Sequence, residues 1–302
     1  MPLNRTDLAD FTCFMAIARH FNFRRAALEM GVTASALSHA VTALEARRGV
    51  RLLNRTTRSV TLTAAGEALY ATLAGPFEIL QQASETLNLF RDAPMGRIRL
   101  NVPGDAATLL LAPVMPIFVE RYPGIEVEIS VSNHLIDVIG GGFDAGIRYG
   151  GTVPEDMIAQ RLTPDIKWIV AASPAYLTRF GVPKTPADIQ KHRCINIRLG
   201  NEQLYQWEFE RDGHSIAITT PGPLTVDESH ASISLALGGA GIIYGAEPIL
   251  RPYLEQGKLC PVLEEWASMG PGLHIYYSGR RHVPTGLRLL IDLIREVQPL
   301  RP

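Results

Sequence analysis

Residues 33 to 49, TASALSHAVTALEARRG, combine short polar side chains with the spacing of a helix. Leu37, Val41 and Leu44 recur at i, i+4 and i+7, which marks a face that packs against other apolar groups. The opposite face carries little beyond hydroxyl, methyl and imidazole groups. Either another helix packs tightly on that small face, or a rigid partner outside the chain comes very close to it.

Charge is distributed unevenly along the chain. Residues 1–60 hold nine arginines, no lysine and four acidic residues, a net +5, so the remainder carries −6 to give the whole-chain value of −1. A small basic head on a larger acidic body indicates that the head contacts a nucleic acid. The alternative is a basic face that is only solvated by water.

Three short helices are predicted to position these groups within the first 48 residues. Asn22 is placed to cap the second helix, FRRAALEM, and Thr33 is placed to cap the third. Gly31 lies between them, where it can take a positive φ at no steric cost. Two helices joined by such a tight turn form a helix-turn-helix, which we place at about residues 23–42.

The segment that follows the third helix, RLLNRTTRSVTLT, predicts a short strand because Val60 and Leu62 alternate with polar residues. Arg55 and Arg58 fall in the turn before this strand. We therefore predict a wing beside the helix-turn-helix, with both guanidinium groups on the phosphates of a nucleic acid.

The run NFRRAALEMGVTASALSHAVTALEARRGVRLLNRTTRSVTLTAAGEAL resembles the N-terminal domain of LysR-type transcriptional regulators. Its features follow the order of the family: an aromatic residue before an Ala-Ala pair, a Gly turn, a Ser/Thr cap, Leu-Ser in the third helix, then Leu-Leu-x-Arg-x-x-Arg and Leu-Thr-x-x-Gly. The resemblance implies a winged helix-turn-helix on double-stranded DNA, followed by a long linker helix. The residues that we predict to bind DNA are Thr33, Ser35, Ser38, His39, Thr42, Arg55 and Arg58.

Two positions of the third helix depart from the family pattern. Members often have Gln or Pro near the start of this helix and Arg or Lys after the Leu-Ser pair, where this chain has Ala34 and His39. Long side chains that read base edges are therefore absent at both positions. We expect base readout to rely on short side chains and on DNA shape.

Residues 62–90 contain apolar side chains at alternating spacings of four and three, the pattern of a helix that pairs with another helix. The predicted dimer contacts are Leu69, Leu73, Leu80 and Leu87. The alternative is an amphipathic helix that packs on its own chain. Pro76 cannot donate to the carbonyl four residues back, so we expect the helix to bend there.

Strands and helices alternate after a Pro-Gly segment near residues 92–96, which we take as the boundary between head and body. Strands are predicted at 97–102, 125–131, 143–148, 166–172, 194–197, 205–210, 214–219, 224–227 and 273–278. Helices are predicted near 106–121, 134–140, 229–238 and 284–297. The first part is a parallel β-α-β arrangement, and the last strand and helix return to it from a second lobe. Two lobes joined by two crossings enclose a cleft, where ligands bind.

The resemblance to LysR-type regulators extends more weakly through the body. Residues 111–150 and 235–250 are similar to the effector-binding domain of the family, which is similar to type 2 periplasmic binding proteins. Residues 153–162 and 172–199 resemble a large subgroup whose effectors are mostly unassigned. The cleft residues that the resemblance implies are Gly104, Asp105, Ala106, Ser132, Asn133, His134, Arg148, Asp227, Glu228 and Ser229.

Several of these cleft residues have a structural alternative. Asp105 could simply cap the helix that follows it, and Ser132 or Asn133 could do the same for the next helix. Arg148 could bind a ligand carboxylate or join the two lobes. The acidic residues at 105, 227 and 228 argue against a polyanionic ligand.

The sequence contains none of the common motifs for catalysis or cofactor binding. The run IGGGFDAGIRYGG lacks the Gly-Lys-Ser/Thr of a phosphate loop, GGAGIIYG lacks the strand-to-helix context of a dinucleotide fingerprint, and we predict both to be loops. The eight histidines form no His-Glu-x-x-His motif, and no Gly-x-Ser-x-Gly is present. We therefore predict a protein that is not an enzyme and has no metal site or cofactor.

The three cysteines, Cys13, Cys194 and Cys260, are too separated for a Cys-x-x-Cys site and fit a reducing compartment. Cys194 and Cys260 could form a redox pair, as in oxidant-sensing members of the family, but their apolar neighbours favour buried, inert thiols. No apolar run approaches the roughly 20 residues that span a bilayer, and the N-terminus lacks the features of a signal peptide. We expect a cytoplasmic protein without a membrane partner.

The predicted protein has an α/β fold with three parts. An all-α winged helix-turn-helix head (1–63) precedes a linker and dimerisation helix (64–92) and a two-lobed α/β effector-binding body (93–302). We place lobe 1 at about 97–163 and 268–302, and lobe 2 at about 164–267. The expected partners are double-stranded DNA, a small-molecule effector, further copies of the chain in a homodimer or homotetramer, and RNA polymerase.

Overall fold

The computed structural model describes residues 5–55, 59–86, 93–133, 141–151, 157–200, 203–279 and 283–301. The chain divides into two compact units, which we call the head and the body. The head is Met1–Asp92 with Ile139–Gly142, and the body is Ala93–Val138 with Phe143–Pro302. Within the described ranges, no helix combines the length and the apolar character needed to cross a membrane.

The head begins with the helices α1 (Arg5–His20), α2 (Phe23–Met30) and α3 (Ala34–Arg48). The side chain of Asn22 caps α2 by accepting two backbone N–H groups, and Thr33 Oγ1 caps α3 by accepting the N–H of Ala36 at 3.1 Å. Gly31 ends α2 with a φ of 64°, in the left-handed region. The helix-turn-helix predicted from these local signals is confirmed.

The core of the head lies between its three helices. Its fully buried side chains include Phe14 and Ile17 of α1 and Leu37, Val41 and Leu44 of α3. The three residues of α3 are those that recur at helical spacing in the sequence. Burying an apolar side chain of this size contributes about 1.5–3 kcal/mol, so α3 is fixed to the head by this face.

The wing is an antiparallel pair of short strands, β1 (Leu53–Arg55) and β2 (Val60–Leu62). The strand predicted around Val60 is confirmed, whereas β1 was not predicted. Residues 56–58 lie outside the described residues, and the predicted position of Arg58 falls among them. The wing therefore begins at Leu53, two residues before Arg55, which was predicted from the sequence to lie in a turn.

A long helix, α4 (Ala64–Thr86), follows the wing and continues through Pro76. Leu69 and Leu73 are partly buried and pack against the core of the head. Leu80, farther along the same predicted seam, is 55% exposed, and Leu87 lies outside the described residues. The first half of the predicted seam therefore packs on the chain's own head, as in the alternative interpretation, and pairing of two chains through this helix stays a prediction.

The first sheet of the body contains β3 (Gly96–Val102), β4 (Ile125–Val131), β5 (Ala145–Tyr149), β6 (Met157–Arg161) and β15 (Leu273–Ser278). The order across the sheet is β4-β3-β5-β15-β6. Strands β3, β4 and β5 are parallel, whereas β15 is antiparallel to both of its neighbours. The predicted β-α-β arrangement is confirmed, and β6 is a strand that the sequence did not predict.

Helices cover this sheet. The segment after β3 forms α5 (Gly104–Ala106), a π-helical turn (Ala107–Leu111) and α6 (Ala112–Arg121), where one helix was predicted. The last helix, α10 (Thr285–Val297), buries one apolar face against the same core. The predicted helix near 134–140 lies outside the described residues.

The second sheet is built around β7 (Ile166–Ala172), which pairs antiparallel with β12 (Ile243–Ala246), β13 (Cys260–Val262) and β14 (Ser268–Gly270). Two smaller pairs accompany it. They are the parallel strands β8 (Ile195–Ile197) and β11 (Leu224–Val226), and the hairpin β9 (Trp207–Arg211) with β10 (His214–Ile218). The helices of this lobe are α7 (Pro174–Phe180), α8 (Ser229–Leu237) and α9 (Glu247–Glu255).

Two predictions for the second lobe are wrong in detail. The run GGAGIIYG is not simply a loop, because its apolar end forms the start of β12 against the middle of β7. The segment 268–270 does not belong to lobe 1, because β14 pairs with Ile166–Trp168 in the second sheet. The second lobe therefore extends to Gly270.

The two crossings between the lobes lie side by side. Leu273 donates its backbone N–H to Thr163 Oγ1 at 2.8 Å, and its carbonyl accepts the N–H of Leu162 at 2.9 Å. Gly272 packs directly on the other crossing, since a Cβ at this position would lie 2.0 Å from the carbonyl oxygen of Pro164. The crossings are thus joined by hydrogen bonds and by a backbone approach that requires glycine.

Candidate functional site

The polar face of α3 is open on the surface of the head. Thr33, Ser35, His39 and Thr42 are exposed, and Ser38 is half-buried. The structure brings these five predicted residues onto one accessible surface. The small side chains are therefore not explained by tight packing against another helix of the head.

Arg55 lies where the sequence did not place it. It ends strand β1, and its guanidinium group is directed to α3 rather than outward from a turn. The group donates to Ser38 Oγ at 3.0 Å and to Thr42 Oγ1 at 3.2 Å, and it pairs with Glu45 Oε2 at 3.2 Å. The guanidinium carbon also lies 5.1 Å from the centre of the Phe23 ring. Arg55 therefore joins the wing to both helices of the helix-turn-helix.

Glu45 is the reason for this orientation. One of its carboxylate oxygens accepts the backbone N–H groups of Leu52 at 2.8 Å and Leu53 at 3.1 Å, while the other pairs with Arg55. The Glu45 side chain is only 14% exposed, so its charge is weakly screened by solvent. The predicted position of Arg55 in a turn is wrong, because the residue ends β1 and Glu45 attracts its guanidinium group back to α3.

Other arginines of the head divide into paired and exposed groups. Arg48 pairs with Asp7 at 2.9 Å, and Arg47 pairs with both Asp7 and Asp10 on α1. Arg24 and Arg25, in contrast, are exposed in the first turn of α2, directly after its capping residue. Neither of these two residues was predicted from the sequence as a DNA contact. Their position beside a recognised cap was a signal that could have identified them.

In the body, Asp105 combines burial with incomplete hydrogen bonding. The residue is 4% exposed, and its Oδ2 accepts the hydroxyl groups of Tyr149 at 2.8 Å and Ser229 at 3.2 Å. Its Oδ1 has no hydrogen-bond partner within the part of the chain that the structure describes. Burial raises the pKa of this carboxyl group, although the two hydroxyl donors oppose the shift.

The alternative role of Asp105 as a helix cap does not fit its position. Helix α5 begins after Pro103, Asp105 lies inside it, and no side chain caps its first turn. The hydroxyl group that Asp105 accepts from Ser229 comes from the first residue of α8 in the other lobe. Asp105 thus links the lobes instead of ending a helix.

Two more hydrogen bonds join the lobes near Asp105. Thr108 Oγ1 lies 3.3 Å from His230 Nε2, and the side-chain amide of Asn133 donates to the carbonyl oxygen of Asp227. Asn133 and Asp227 were predicted cleft residues, whereas Thr108 and His230 were not. Thr108 and His230 each lie within three positions of a predicted cleft residue, and this closeness in sequence could have identified them.

Gly104 and Glu228 face each other across the same contact. A Cβ at Gly104 would lie 2.8 Å from Glu228 Oε1, so a larger residue there would displace this carboxylate. Glu228 also caps α8, because its carboxylate accepts the N–H groups of His230 at 3.0 Å and Ala231 at 2.8 Å. Predicted residue Ala106 is fully buried in the core, and His134 lies outside the described residues.

Arg148 is buried at the end of β5. It donates to Asn101 O at 3.1 Å, to Ile147 O at 2.6 Å, to the side chain of Asn101 and to Ser132 O at 3.2 Å. Burial lowers the pKa of its guanidinium group, which the nearby Tyr276 opposes. These bonds tie together strand ends of the first sheet, which favours a role within lobe 1.

A row of aromatic rings continues from Asp105 into the second lobe. The Tyr149 ring centre lies 5.1 Å from that of Trp168, which stacks on Tyr244 at 5.5 Å. Tyr205 lies 6.1 Å from Trp168 on the same side. Trp168 and Tyr205 are partly exposed, and neither was predicted from the sequence as a site residue.

The cysteines differ in environment. Cys194 is buried, and burial raises the pKa of its thiol to about 12, so the inert protonated form predicted for it is supported. Cys260 is only partly buried, contrary to expectation, because it lies in β13 at the margin of the second sheet. Among the residues that the structure describes, no three His, Cys, Asp or Glu side chains are grouped to hold a metal ion.

Two family models match this chain. The model described as "Bacterial regulatory helix-turn-helix protein, lysR family" matches residues 8–67, and that described as "LysR substrate binding domain" matches residues 91–299. Together they cover the helix-turn-helix with its wing and nearly the whole body.

Curated relatives match along almost their full length. The chain is 37% identical over 294 residues to the HTH-type transcriptional regulator YcaN of Escherichia coli strain K12, covering 97% of this chain and 96% of that protein. It is 34% identical over 294 residues to the HTH-type transcriptional regulator PgrR of the same strain, covering 97% and 98%.

Solved structures show the same architecture. The full-length Vibrio cholerae virulence activator AphB, a member of the LTTR protein family, matches with a TM-score of 0.67 and 26% identity, covering 96% of this chain and 99% of that one. The LysR-type transcriptional regulator CrgA from Neisseria meningitidis matches with a TM-score of 0.59 and 28% identity, covering 98% and 99%.

Proposed function

The chain belongs to the LysR family of transcriptional regulators, and we propose that the exposed face of α3 is the surface that enters the major groove of its operator. The observation that carries this proposal is the accessibility of Ser35, Ser38, His39 and Thr42 on one side of a helix whose other side is fixed in the core. The major groove accepts an α-helix, and short side chains let its axis lie close to the base edges.

We assign the phosphate contacts to exposed arginines around this helix. Arg24 and Arg25 lie at the start of α2, and both residues are exposed. Arg58 remains a wing contact predicted from the sequence. These contacts set the position of the head on the duplex and do not read its sequence.

Retardation of promoter DNA tests the groove assignment. A Ser38→Trp variant of the full-length protein should lose at least about tenfold in affinity for the intergenic DNA beside its own gene, because the indole blocks groove entry. Ser215→Trp, the same change on an exposed strand of the body, is the matched control. Circular dichroism should be unchanged for both variants. Wild-type affinity in the Ser38→Trp variant would contradict the proposal.

We propose that the effector binds between the lobes and presents a hydrogen-bond donor, such as an amine or hydroxyl group, to Asp105 Oδ1. A buried acceptor without a partner costs roughly 1–3 kcal/mol, which a donor on the ligand would recover. Glu228, whose carboxylate lies next to Gly104, disfavours an anionic group at this place. Ser132, Asn133, Arg148, Asp227 and Ser229 remain the other proposed cleft residues.

A thermal-shift comparison tests the ligand class. The full-length protein is incubated with a panel of amines and polyols and with a matched panel of carboxylates. Stabilisation by members of the first panel, lost in Asp105→Asn and kept in the surface control Glu120→Gln, is the expected result. Stabilisation by carboxylates alone, unaffected by Asp105→Asn, would argue for a different ligand class.

We also propose that two copies of the chain pair through the second half of α4. Ile79 and Leu80 are exposed there, at 65% and 55%. Leu80→Glu should shift the sedimentation of the protein to that of a monomer, whereas Ala71→Glu, on an exposed position of the first half, should not. Dimers on a pseudo-palindromic site, or pairs of such dimers, would act in the cytoplasm with RNA polymerase as a further partner.

Ligand control follows from these sites. A small molecule that favours one arrangement of the two lobes shifts the population toward that arrangement by the difference in its binding free energy. In a regulator of this family, the shift would change how the dimers bind the promoter. Footprinting with and without a stabilising ligand measures the change.

A further inference from the structure

The hydroxyl group of Thr42 is fully used within the protein. It donates its proton to the carbonyl oxygen of Ser38 at 2.7 Å and accepts from Arg55 at 3.2 Å. A threonine hydroxyl carries one proton, so Thr42 has none left for a base. The exposed part of this side chain that no hydrogen bond occupies is its methyl group.

Ser38 is in the opposite situation. Its Oγ accepts from Arg55 at 3.0 Å, and its own proton goes to no acceptor in the described part of the chain. Because the oxygen already receives a hydrogen bond from a cation, the O–H group is polarised and becomes a better donor. Ser38 is therefore prepared to donate to an acceptor outside the protein.

Arg55 itself is fixed from three directions. Glu45 balances its charge, the Phe23 ring lies beside the guanidinium, and the strand pairing of β1 holds its backbone. A guanidinium that already pairs with a carboxylate neutralises little phosphate charge. Its contribution to the salt dependence of DNA binding should accordingly be small.

We propose that Arg55 is a positioning residue for sequence readout, which directs the Ser38 proton to a base acceptor and leaves the Thr42 methyl group to contact a thymine methyl. The acceptors available in the major groove are purine N7, guanine O6 and thymine O4, and the thymine methyl is the apolar group found there. This inference rests on the proposed entry of α3 into the groove.

The thymine contact can be tested on wild-type protein without any substitution. Duplexes that bind the full-length protein are selected from a random pool, and each thymine of the selected site is then replaced by deoxyuridine, which lacks only the methyl group. Replacement at one position per half-site should weaken binding about 3- to 10-fold. Thr42→Ser keeps the hydroxyl and loses the methyl, so this variant should bind both duplexes equally.

The acceptor for Ser38 is tested in the same way. Where the facing acceptor is N7, replacing one purine by its 7-deaza analogue should weaken wild-type binding, and Ser38→Ala should be insensitive to it. If every 7-deaza duplex binds wild-type protein normally, Ser38→Ala must relax selection at one guanine or thymine of the site. Equal selection by Ser38→Ala and wild type would overturn the Ser38 contact.

The positioning role of Arg55 has its own readout. Arg55→Gln should relax selection at the thymine and at the acceptor base together, while the slope of log affinity against log salt stays unchanged. Arg24→Ala is the matched control, because loss of one phosphate contact should reduce that slope by about one unit with the selected sequence unchanged. An Arg55→Gln variant that behaves like Arg24→Ala would overturn the positioning role.

Failure of the proposed function gives a different result. If wild-type protein enriches no sequence from the pool, groove entry by α3 is itself wrong, and the inference falls with it. If wild type enriches a site that no deoxyuridine substitution weakens, groove entry stands and the Thr42 contact is refuted. Should Arg55→Gln fail to fold, the base-analogue duplexes with Thr42→Ser and Ser38→Ala still decide the two base contacts.

Discussion

The polar surface of α3 and the polar group around Asp105 differ in how completely their charged side chains are paired. On α3, Arg55 is matched by Glu45 and by two hydroxyl groups, so the site is electrically complete before a partner arrives. In the body, Asp105 is buried with two hydroxyl donors and one oxygen that lacks a partner in the described residues. With the proposed sites, the head would be preorganised for a rigid duplex, whereas the body would hold an unfavourable group for a ligand to satisfy.

The largest effect on stability is expected from removing Glu45, the carboxylate that pairs with Arg55 in the head. Glu45→Ala removes the acceptor of two backbone N–H groups and the partner of Arg55. Urea unfolding of the head transition should show a loss of about 2–3 kcal/mol. Glu45→Gln is the matched variant: its side-chain carbonyl preserves the backbone bonds, so it should lose less. Equal stability of Glu45→Ala and wild type would show that the site is not held by this carboxylate.

A pH-dependent effect is expected at Asp105. Burial raises the folded pKa of this carboxyl group above the ordinary value of 3.8, so the folded protein binds this proton more tightly than the unfolded chain does. The resulting stabilisation is complete below the unfolded pKa and is lost as pH rises through the folded pKa. Across that window, the free energy of unfolding of wild type relative to Asp105→Asn should fall by up to about 1.4 kcal/mol per pH unit.

The measurement for Asp105 is urea unfolding at a series of pH values, with Glu120→Gln as an exposed control that should parallel wild type. A difference between wild type and Asp105→Asn that does not change with pH would mean that this carboxyl is as ionised in the folded protein as in the unfolded chain. Asp105 would then be no less well accommodated than the paired Arg55 of the head.

The smallest effect is expected at a paired arginine of the head. Arg47→Ala removes ion pairs to Asp7 and Asp10, but Asp7 keeps its pair with Arg48. Ion pairs at the surface contribute little to stability because solvent screens them, so the free energy of unfolding should be nearly unchanged. The salt dependence of DNA binding should stay unchanged. A slope reduced by one unit would place Arg47 on a phosphate and weaken the distinction between paired and exposed arginines.

Much of the head could be predicted because its signals are local. Asn22, Gly31 and Thr33 each act on backbone groups within about four residues, and their types alone define where two helices end and begin. The long strands of the body, such as β4 and β7, were also predicted, because seven residues give enough pattern to recognise.

What could not be predicted depends on contacts between distant residues. Strands β12, β13 and β14 have three or four residues each, too few for a period, and exist because β7 offers edges to pair with. Glu45 and Arg55 lie on different elements, so the ion pair that turns Arg55 to α3 has no sequence signature. The bond between Asp105 and Ser229 joins residues 124 positions apart.

The paired crossings of the body limit how its two lobes can move. Because Leu273 is hydrogen-bonded to the segment of Leu162 and Thr163, and Gly272 packs on Pro164, neither crossing can slide or twist without the other. The two segments should behave as a single torsional axis, so the lobes rotate about one line and do not shear. A ligand that binds between the lobes would then act on a single rotation of one lobe against the other. Gly272→Ala should hinder this rotation and leave the residues of the cleft unchanged.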